Sequence, residues 1–259
     1  MNHWIEWCKK IFQLGGLLIL SFLLILAFIG LLQPPFLFEI VLQIAPGVKY
    51  FAQTHDKIVA ITIDDGPNFQ TTPKILETLE NYQAPATFFL ISERIEGNEE
   101  IINTMIDNGH EIGHHMVRDE PSIQLSTEYF QQQFLVADKI LNQFFDNKLH
   151  RVHWFRPGGG WYNSQMIAFA KKQGYQSVLG SIFPYDTHIP SAQFASYQIL
   201  LNLRPGAIIV LHDSGKDDQS GDWGKRTNIT LNKILPEIKR RGYQTVTLSD
   251  LFSQELQDD

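Results

Sequence analysis

The chain has 259 residues, of which 44% are hydrophobic and 19% charged, and its formal net charge is -7. An acidic chain with no block of Lys or Arg argues against nucleic acid as a partner. Cys8 is the only cysteine, which excludes an intrachain disulfide and leaves packing to stabilise the fold. Without the N-terminus, about 200 residues remain, enough for one α/β domain with its own core.

The first element is an uncharged apolar segment over residues 11–32. It is 22 residues long, and an α-helix needs roughly 20 to cross a bilayer. Lys9 and Lys10 precede it, which predicts that residues 1–10 stay in the cytoplasm and that the remaining chain is exported. The segment is therefore predicted to be a transmembrane helix.

A cleaved signal peptide is the alternative interpretation of the same segment. Its apolar region is usually shorter, and no small-residue cleavage site follows Leu32. We therefore predict an uncleaved, single-pass signal anchor. The domain beyond it is expected in the periplasm or at the cell surface, with a connecting segment over residues 33–55 and the domain itself over residues 56–255.

Beyond Lys57, short apolar runs alternate with amphipathic stretches, a pattern typical of alternating strands and helices. Such alternation implies right-handed parallel crossovers, hence a doubly wound sheet or a closed barrel, and the pattern does not choose between them. The seven predicted strands cover residues 58–63, 86–91, 110–116, 152–155, 175–179, 207–211 and 243–248.

Ionisable residues follow five of these strands at the point where each strand ends. The C-terminal ends of parallel strands form the rim on which α/β proteins build their sites. A random scatter of surface charge would not respect strand ends. The residues at this predicted rim are Asp64 and Asp65, His115 and Asp119, Arg156, Asp186 and His212.

Each rim residue also has an ordinary interpretation. Asp64 and Asp65 precede Gly-Pro, which is common turn chemistry, and a single histidine after a strand is more often a core residue. Two carboxylates and one imidazole from two strand ends would, however, provide three metal ligands and leave a position for water. Water activated in this way favours hydrolysis as the reaction class.

Two further residues have a possible role beside such a metal. Arg156 precedes Pro-Gly-Gly-Gly and either decorates a turn or pairs with a rim carboxylate and orients it. His212 emerges from a buried strand, where it is either a core histidine or a group that titrates near working pH.

Four motifs, in this order, resemble those of the polysaccharide deacetylase family, also called the NodB-homology or carbohydrate esterase family 4 domain. The chain has ITIDDGP for the family's T-F-D-D-G-P and EIGHHMVRD for its E-I-G-N-H-[ST]-x-x-H. FRPGGG stands for its R-x-P-[YFG]-G and IVLHD for its L-H-[DS]. Each motif alone is weak, but the ordered set over residues 57–252 is specific.

The resemblance implies a fold and an activity. The family fold is a distorted (β/α)₇ barrel, which agrees with seven predicted strands. The implied activity is metal-dependent removal of acetyl groups from N-acetylated glycans of the chitin or peptidoglycan type, and sometimes from O-acetylated xylan. An acetylated polysaccharide is thus the expected partner, besides the membrane.

The resemblance also implies roles for individual residues. Asp65 and His115 would bind the metal, and Asp64 would be the base that takes a proton from the metal-bound water. Arg156 would hold Asp64 in place, and His212 would be the acid that protonates the departing amine.

Four more residues are candidates for contact with the substrate or with His212. By the resemblance, Leu211 would line the pocket for the acetyl methyl group, and Asp186 would orient His212. Gly158 and Trp161, which lie in the loop after Arg156, are candidate substrate-binding residues, although Trp161 could equally be a packing residue.

The chain departs from the family pattern at two positions. Asp119 replaces the second metal histidine, and His114 replaces an asparagine and is an alternative ligand. An Asp-His-Asp set is harder than the family's, so zinc is expected, with manganese, iron or cobalt more plausible than usual. The alternative functions are a degenerate glycan-binding domain, or an esterase acting on O-acetyl groups or a small amide. No oligomeric state is predicted.

Overall fold

The computed structural model describes residues 2–145, 152–215 and 221–255. Within these residues the chain forms nine α-helices and an eight-stranded sheet. The helices are α1 (Asn2–Leu32), α2 (Pro35–Ile44), α3 (Thr72–Asn81), α4 (Glu99–Asp107), α5 (Thr127–Asn142), α6 (Ser164–Lys172), α7 (Ala192–Asn202), α8 (Asp222–Arg240) and α9 (Leu248–Ser253). The strands are β1 (Val48–Lys49), β2 (Ile58–Gly66), β3 (Thr87–Leu90), β4 (Glu111–His114), β5 (Trp154–Phe155), β6 (Gln176–Val178), β7 (Ile208–His212) and β8 (Gln244–Val246).

Strand β2 is the centre of the sheet. Its sequence, IVAITIDDG, is buried at every position, as a β-branched run covered on both faces should be. It pairs in parallel with β3 and β7, and its first three residues pair in parallel with β8. Apart from β8, the strands lie in the order β1-β6-β5-β4-β3-β2-β7, and all neighbours are parallel.

A bridge just beyond β6 closes the sheet. Ile182 pairs in parallel with Ile209 of β7, and the N–H of Val210 donates to the carbonyl of Ile182 at 3.0 Å. The predicted distorted α/β barrel is therefore confirmed. The described sheet has eight strands rather than the expected seven, because β1 lies in the segment between the apolar helix and β2 and pairs with β6. Two residues are too few to show a strand periodicity in the sequence.

The side chains of β2 alternate between two layers. Val59, Ile61 and Ile63 belong to the large core between the sheet and its helices. Ile58 and Ala60 belong to a second apolar cluster, with partners such as Phe89, Trp154 and Val178. By the period of two, Thr62 and Asp64 continue this second face, so the interior of the barrel becomes polar toward the C-terminal ends of its strands.

The N-terminal part consists of two apolar helices. Within α1, Leu14–Leu32 is 19 residues long and has a mean hydropathy of 2.7, and its most apolar stretch contains no buried residue. By length and composition it is the one described helix that could cross a membrane. Helix α2 follows after Pro34 and packs Phe38 and Leu42 against a small core around β1. The chain between the apolar helix and β2 is thus structured against the domain.

His110 is a buried histidine that remains neutral in the fold, and it makes stability depend on pH. The N–H of Ala86 donates to its Nδ1 at 3.1 Å, and burial lowers the pKa of His110 from 6.5 to about 4. The unfolded chain takes up this proton at higher pH than the folded chain, so stability is full above pH 6.5 and is lost as pH falls toward 4, by roughly 3 kcal/mol. Burial likewise lowers the pKa of His114 from 6.5 to about 4.

Urea unfolding of the detergent-solubilised chain at pH 7 and pH 4 measures this loss. His110→Asn retains an acceptor for Ala86 but cannot become charged. The free energy of unfolding that this variant loses between pH 7 and pH 4 should therefore be smaller than the wild-type loss by about the contribution of one histidine. An unchanged pH dependence in this variant would contradict the assignment.

Candidate active site

Seven of the residues predicted at the strand ends line one cavity of about 410 Å³. They are Asp64, Asp65, His115, Asp119, Arg156, Asp186 and His212. The loop after β6 supplies another wall of the cavity, and the remaining lining residues come from the loop after β5, from β7 and from the first turn of α8. These further residues are Gly159, Gly160, Leu179, Phe183, Pro184, Tyr185, Thr187, His188, Val210 and Trp223.

Asp64 and Asp65 share the cavity because β2 becomes irregular where it ends. On a regular strand, adjacent side chains point to opposite faces. Here the pairing of β2 with β3 shifts register between Asp64 and Gly66, and Asp65 has a φ of 66°, in the left-handed region. Asp tolerates this conformation better than most residues. The distortion turns both carboxylates toward the same cavity.

Arg156 holds Asp64 through a buried ion pair. Its Nη1 donates to Asp64 Oδ1 at 2.6 Å and to Thr62 Oγ1 at 2.7 Å, and neither member of the ion pair is appreciably exposed. Nε and Nη2 donate to the carbonyls of Val178 and Leu179 at 3.3 Å and 2.6 Å. The guanidinium therefore has partners on β2 and at the end of β6, and the carboxylate has a fixed position.

Asp65 and His115 are in direct contact. His115 Nε2 lies 3.2 Å from Asp65 Oδ1, and both side chains are buried. On its other side, His115 Nδ1–H donates to the carbonyl of Arg156 at 2.7 Å, which defines the tautomer. Burial lowers the pKa of His115, but the Asp65 and Asp64 carboxylates and the Arg156 carbonyl together outweigh it, and the net direction is upward.

Asp119 is paired with an arginine that the sequence analysis did not single out. Arg94 Nη2 lies 3.5 Å from Asp119 Oδ2 and donates to the carbonyl of Gly215 at 3.2 Å, while Nη1 donates to the carbonyl of Asp65. Burial raises the pKa of Asp119, and the charge of Asp65 raises it further. Arg94 lies four residues beyond the end of β3, in the 3₁₀ turn Ser92–Arg94, and a cation so near a strand end was the available signal.

His212 is oriented by Asp186. The His212 N–H donates to Asp186 Oδ2 at 2.9 Å, and its Nδ1 lies 3.1 Å from Oδ1. Burial lowers the pKa of His212, but the Asp186 carboxylate and the other acids of the cavity raise it, to about 10. The predicted pairing of Asp186 with His212 is present, so a protonated Nδ1 is directed at Asp186.

Asp213 supports the end of β2 from behind the cavity. It accepts hydrogen bonds from the hydroxyls of Thr71, at 2.6 Å, and Thr72, and its N–H donates to the carbonyl of Asp64 at 2.9 Å. Burial raises the pKa of Asp213 to about 6, with these hydroxyls opposing the shift. Its role is to connect β7, β2 and the start of α3.

The three residues predicted to bind substrate, Leu211, Gly158 and Trp161, do not line the cavity. Leu211 is fully buried in the core on the helix side, and Val210, one residue earlier, faces the cavity instead. The period of two explains the correction, because Val210 and His212 share a face and Leu211 lies on the other. Gly158 packs against the carbonyl of Glu120, where a Cβ would clash.

Trp161 and His114 also lie outside the cavity lining. Trp161 is 70% exposed. His114 is stacked on Phe134 with ring centroids 4.1 Å apart, its Nε2 is 3.0 Å from the Phe134 carbonyl, and the N–H of Met116 donates to its Nδ1. Both ring nitrogens are thus occupied inside the core, so the alternative of His114 as a metal ligand does not fit.

The donor set of the cavity fits a divalent ion in part. Among the described residues, no three His, Cys, Asp or Glu side chains stand together as a ready metal site. Two of the predicted ligands nevertheless fit, because the tautomer of His115 directs its Nε2 lone pair at Asp65 Oδ1. A proton or a cation has to lie between these atoms, and their 3.2 Å separation is close to the roughly 3.4 Å between two ligands of a tetrahedral zinc. Asp119 lines the same cavity but is turned to Arg94.

Known proteins are similar to this chain in sequence. A profile of the family described as polysaccharide deacetylase matches residues 51–178. A peptidoglycan-N-acetylglucosamine deacetylase of Bacillus cereus is 36% identical over 207 residues, which cover 79% of this chain and 92% of that protein. A chitooligosaccharide deacetylase of a Bradyrhizobium species is 30% identical over 198 residues, 74% of this chain and 90% of that one.

Solved structures agree with these sequence matches. A crystal structure of a peptidoglycan N-acetylglucosamine deacetylase in complex with 4-naphthalen-1-yl-N-oxidanyl-benzamide superposes with a TM-score of 0.74 at 26% identity. The match covers 84% of this chain and 98% of that one. Fold and sequence together define a carbohydrate deacetylase. The chain belongs to the polysaccharide deacetylase family, as its four motifs indicated.

We predict that Arg156→Lys destabilises the fold. Lysine keeps the charge but cannot reach the partners of the planar guanidinium on both β2 and β6, which leaves buried acceptors unpaired and costs about 2–4 kcal/mol. Chemical unfolding measures the loss. Arg240→Lys, which changes an exposed arginine paired with Glu237, is the control and should stay within about 0.5 kcal/mol. Equal effects of both substitutions would contradict the prediction.

Proposed function

We propose that the protein is a metal-dependent hydrolase that removes acetyl groups from an N-acetylated glycan of the peptidoglycan or chitin type. The names of its relatives support the substrate class. One observation carries the reaction: Asp64 and His212, each with its own charged partner, face the same cavity. A base and an acid held separately suit the hydrolysis of an amide, in which one proton leaves water and another reaches the departing amine.

In this proposal Asp64 is the base. The Arg156 guanidinium holds its carboxylate in a fixed orientation, with Oδ1 engaged at 2.6 Å. The carboxylate takes a proton from the attacking water as the tetrahedral intermediate forms. Arg156 neither gives nor takes a proton in this step, so its role is to position Asp64.

His212 is the proposed acid. Asp186 holds its Nδ1, so the other ring nitrogen is the one available to substrate in the cavity. Asp186 also favours the imidazolium, which is the form that can donate. Protonation of the nitrogen by His212 lets the amine leave as the C–N bond breaks.

Asp65, His115 and Asp119 are the residues that would hold a divalent ion, zinc first and manganese, iron or cobalt next. When bound, the ion supplies Lewis acidity that polarises the acetyl carbonyl and acidifies water. The chain's own contribution is to orient the ligands: the Arg156 carbonyl sets the His115 tautomer, and the Arg94 guanidinium bonds the carbonyl of Asp65. Val210 is the proposed neighbour of the acetyl methyl group, and Trp223, on the cavity wall, and Trp161 are candidates for contact with sugar rings.

We further propose that α1 is a single-pass membrane anchor and that the domain over residues 56–255 acts outside the cytoplasm. The apolar stretch Leu14–Leu32 supports the anchor. Relatives that act on a cell-wall glycan support the location of the domain.

Acetate release from N-acetylglucosamine oligomers and from peptidoglycan tests the reaction. Asp64→Asn should lower kcat by about 10²–10⁴-fold, because the amide cannot accept the proton. Asp107→Asn, which changes an exposed carboxylate at the end of α4, is the control and should retain full activity. Full activity of Asp64→Asn would refute the proposed base. O-acetylated xylan and a small acetamide, assayed alongside, distinguish the esterase and small-amide alternatives.

A domain that binds glycan without turning it over is the second candidate. The observation in its favour is the pairing of Asp119 with Arg94, 3.5 Å apart, where the family motif has a metal histidine. The retained base, acid and partners favour the enzyme, since binding alone requires none of them.

Metal affinity separates the two candidates without relying on turnover. If Asp119 is a ligand, Asp119→Ala should weaken zinc binding by at least about tenfold, measured by competition with a chromophoric chelator. Asp119→His should preserve binding. Unchanged affinity in Asp119→Ala would remove Asp119 from the ligand set, and activity gained only in Asp119→His would favour the degenerate domain.

A further inference from the structure

The end of helix α1 is bonded to the wall of the active-site cavity. Gln33 Nε2 donates to the carbonyl of Phe183 at 2.6 Å, and its Oε1 accepts from the N–H of the same residue at 2.8 Å. The Tyr185 hydroxyl donates to the carbonyl of Gly30 at 2.9 Å. Phe183 and Tyr185 both line the cavity, and Asp186 follows directly. The loop that carries the partner of His212 is thus attached to the apolar helix.

Helix α7 binds the same helix end. The Asn202 side chain donates to the carbonyl of Leu31 at 3.0 Å, and Gln198 donates to the carbonyl of Gly30 at 3.3 Å. The last carbonyls of a helix have no partner within it, and a side chain that reaches them caps the end. Gln33 itself is buried. The end of α1 is therefore seated in the domain and is not joined to it by a free linker.

Helix α2, which follows at once, has two apolar faces. Phe38 and Leu42 pack against the domain. Phe36, Ile40 and Ile44 recur every four residues on another face and are 55%, 46% and 78% exposed. Spacing of this kind places them in one stripe along the helix. The domain leaves this stripe uncovered.

The lipid bilayer is the occupant that the chain favours for this stripe. Only two residues, Gln33 and Pro34, separate α2 from the apolar helix, so α2 begins where that helix would leave the membrane. Helix α2 lacks the Lys and Arg of a typical interfacial helix. It does not need their attraction to lipid, because the spanning helix makes its contact with the bilayer intramolecular.

We propose that the stripe of Phe36, Ile40 and Ile44 lies in the outer interface of the bilayer and, through the contacts of Gln33 and Tyr185, holds the active-site cavity beside the membrane. The substrate is then the acetylated glycan next to the lipid headgroups and not glycan remote from the membrane. This inference rests on the proposed deacetylase activity and on the proposed anchor.

The membrane contact is tested in the full chain in lipid nanodiscs, with an environment-sensitive fluorophore on a single cysteine. Cys8→Ser removes the native thiol, and the probe is placed at Ile40→Cys or at Leu135→Cys on α5. The two native side chains are equally exposed, 46% each, which makes them a matched pair. Lipids with a quencher on the acyl chain should reduce fluorescence at residue 40 and not at residue 135. Equal quenching at both positions would overturn the proposal. So would a disulfide between two copies of the unlabelled Ile40→Cys variant, which would identify a second chain as the occupant.

The position of the cavity is tested with N-acetylglucosamine oligomers attached to lipids of the same nanodisc by spacers of increasing length. Acetate release should be fastest at the shortest spacers that reach the cavity and should fall as the spacer lengthens, because the effective concentration at the cavity declines. Rates that do not depend on spacer length, or that rise with it, would overturn the proposal. Absence of release from free and tethered oligomers alike would refute the deacetylase activity, while the quenching result would still decide the membrane contact.

Discussion

The geometry of the candidate active site depends on Arg156, the buried arginine that follows β5. The Arg156 side chain reaches β2 through Thr62 and Asp64 and the end of β6 through two carbonyls, so it connects strands that are not neighbours in the sheet. Its own carbonyl accepts from His115. One residue thus sets the position of the proposed base and the tautomer of a proposed metal ligand. A buried guanidinium is tolerated only because its donors find these partners, so the same contacts serve stability and chemistry.

The second constraint is the number of carboxylates around one cavity. Asp64, Asp65, Asp119 and Asp186 line it together, and like charges at close range repel one another. The chain provides a separate cation for three of them, Arg156 for Asp64, Arg94 for Asp119 and His212 for Asp186. Asp65 faces His115. An aspartate in place of the family's histidine adds one negative charge, and the nearby Arg94 is the group that offsets it.

The contacts at the end of α1 change how the N-terminal part is understood. A hydropathy pattern describes an anchor as a separate segment, whereas here its last turn is bonded to the loop that contains Asp186. Side chains of α7 satisfy its terminal carbonyls. The apolar helix and the cavity wall are therefore parts of one packed unit, and a truncation placed between them would remove Gln33 from the structure.

The sequence by itself determined the alternation of strands and helices and the rim of acids and imidazoles, because β-branched runs and turn residues are local features. Its ordered motifs indicated the family, and only through that resemblance the barrel. The sequence also indicated that Asp64 and Asp65 end a strand. Four features could not be predicted from local sequence patterns and were decided by the tertiary structure. They are the left-handed turn at Asp65, the pairing of Arg94 with Asp119, the burial of His114 in an aromatic core, and the position of Val210, not Leu211, at the cavity. These depend on side chains that meet across distant parts of the chain. Strand β1 and the seat of Gln33 belong to the same group, since two residues or one amide leave no periodic signal and acquire their role only from the surface they contact.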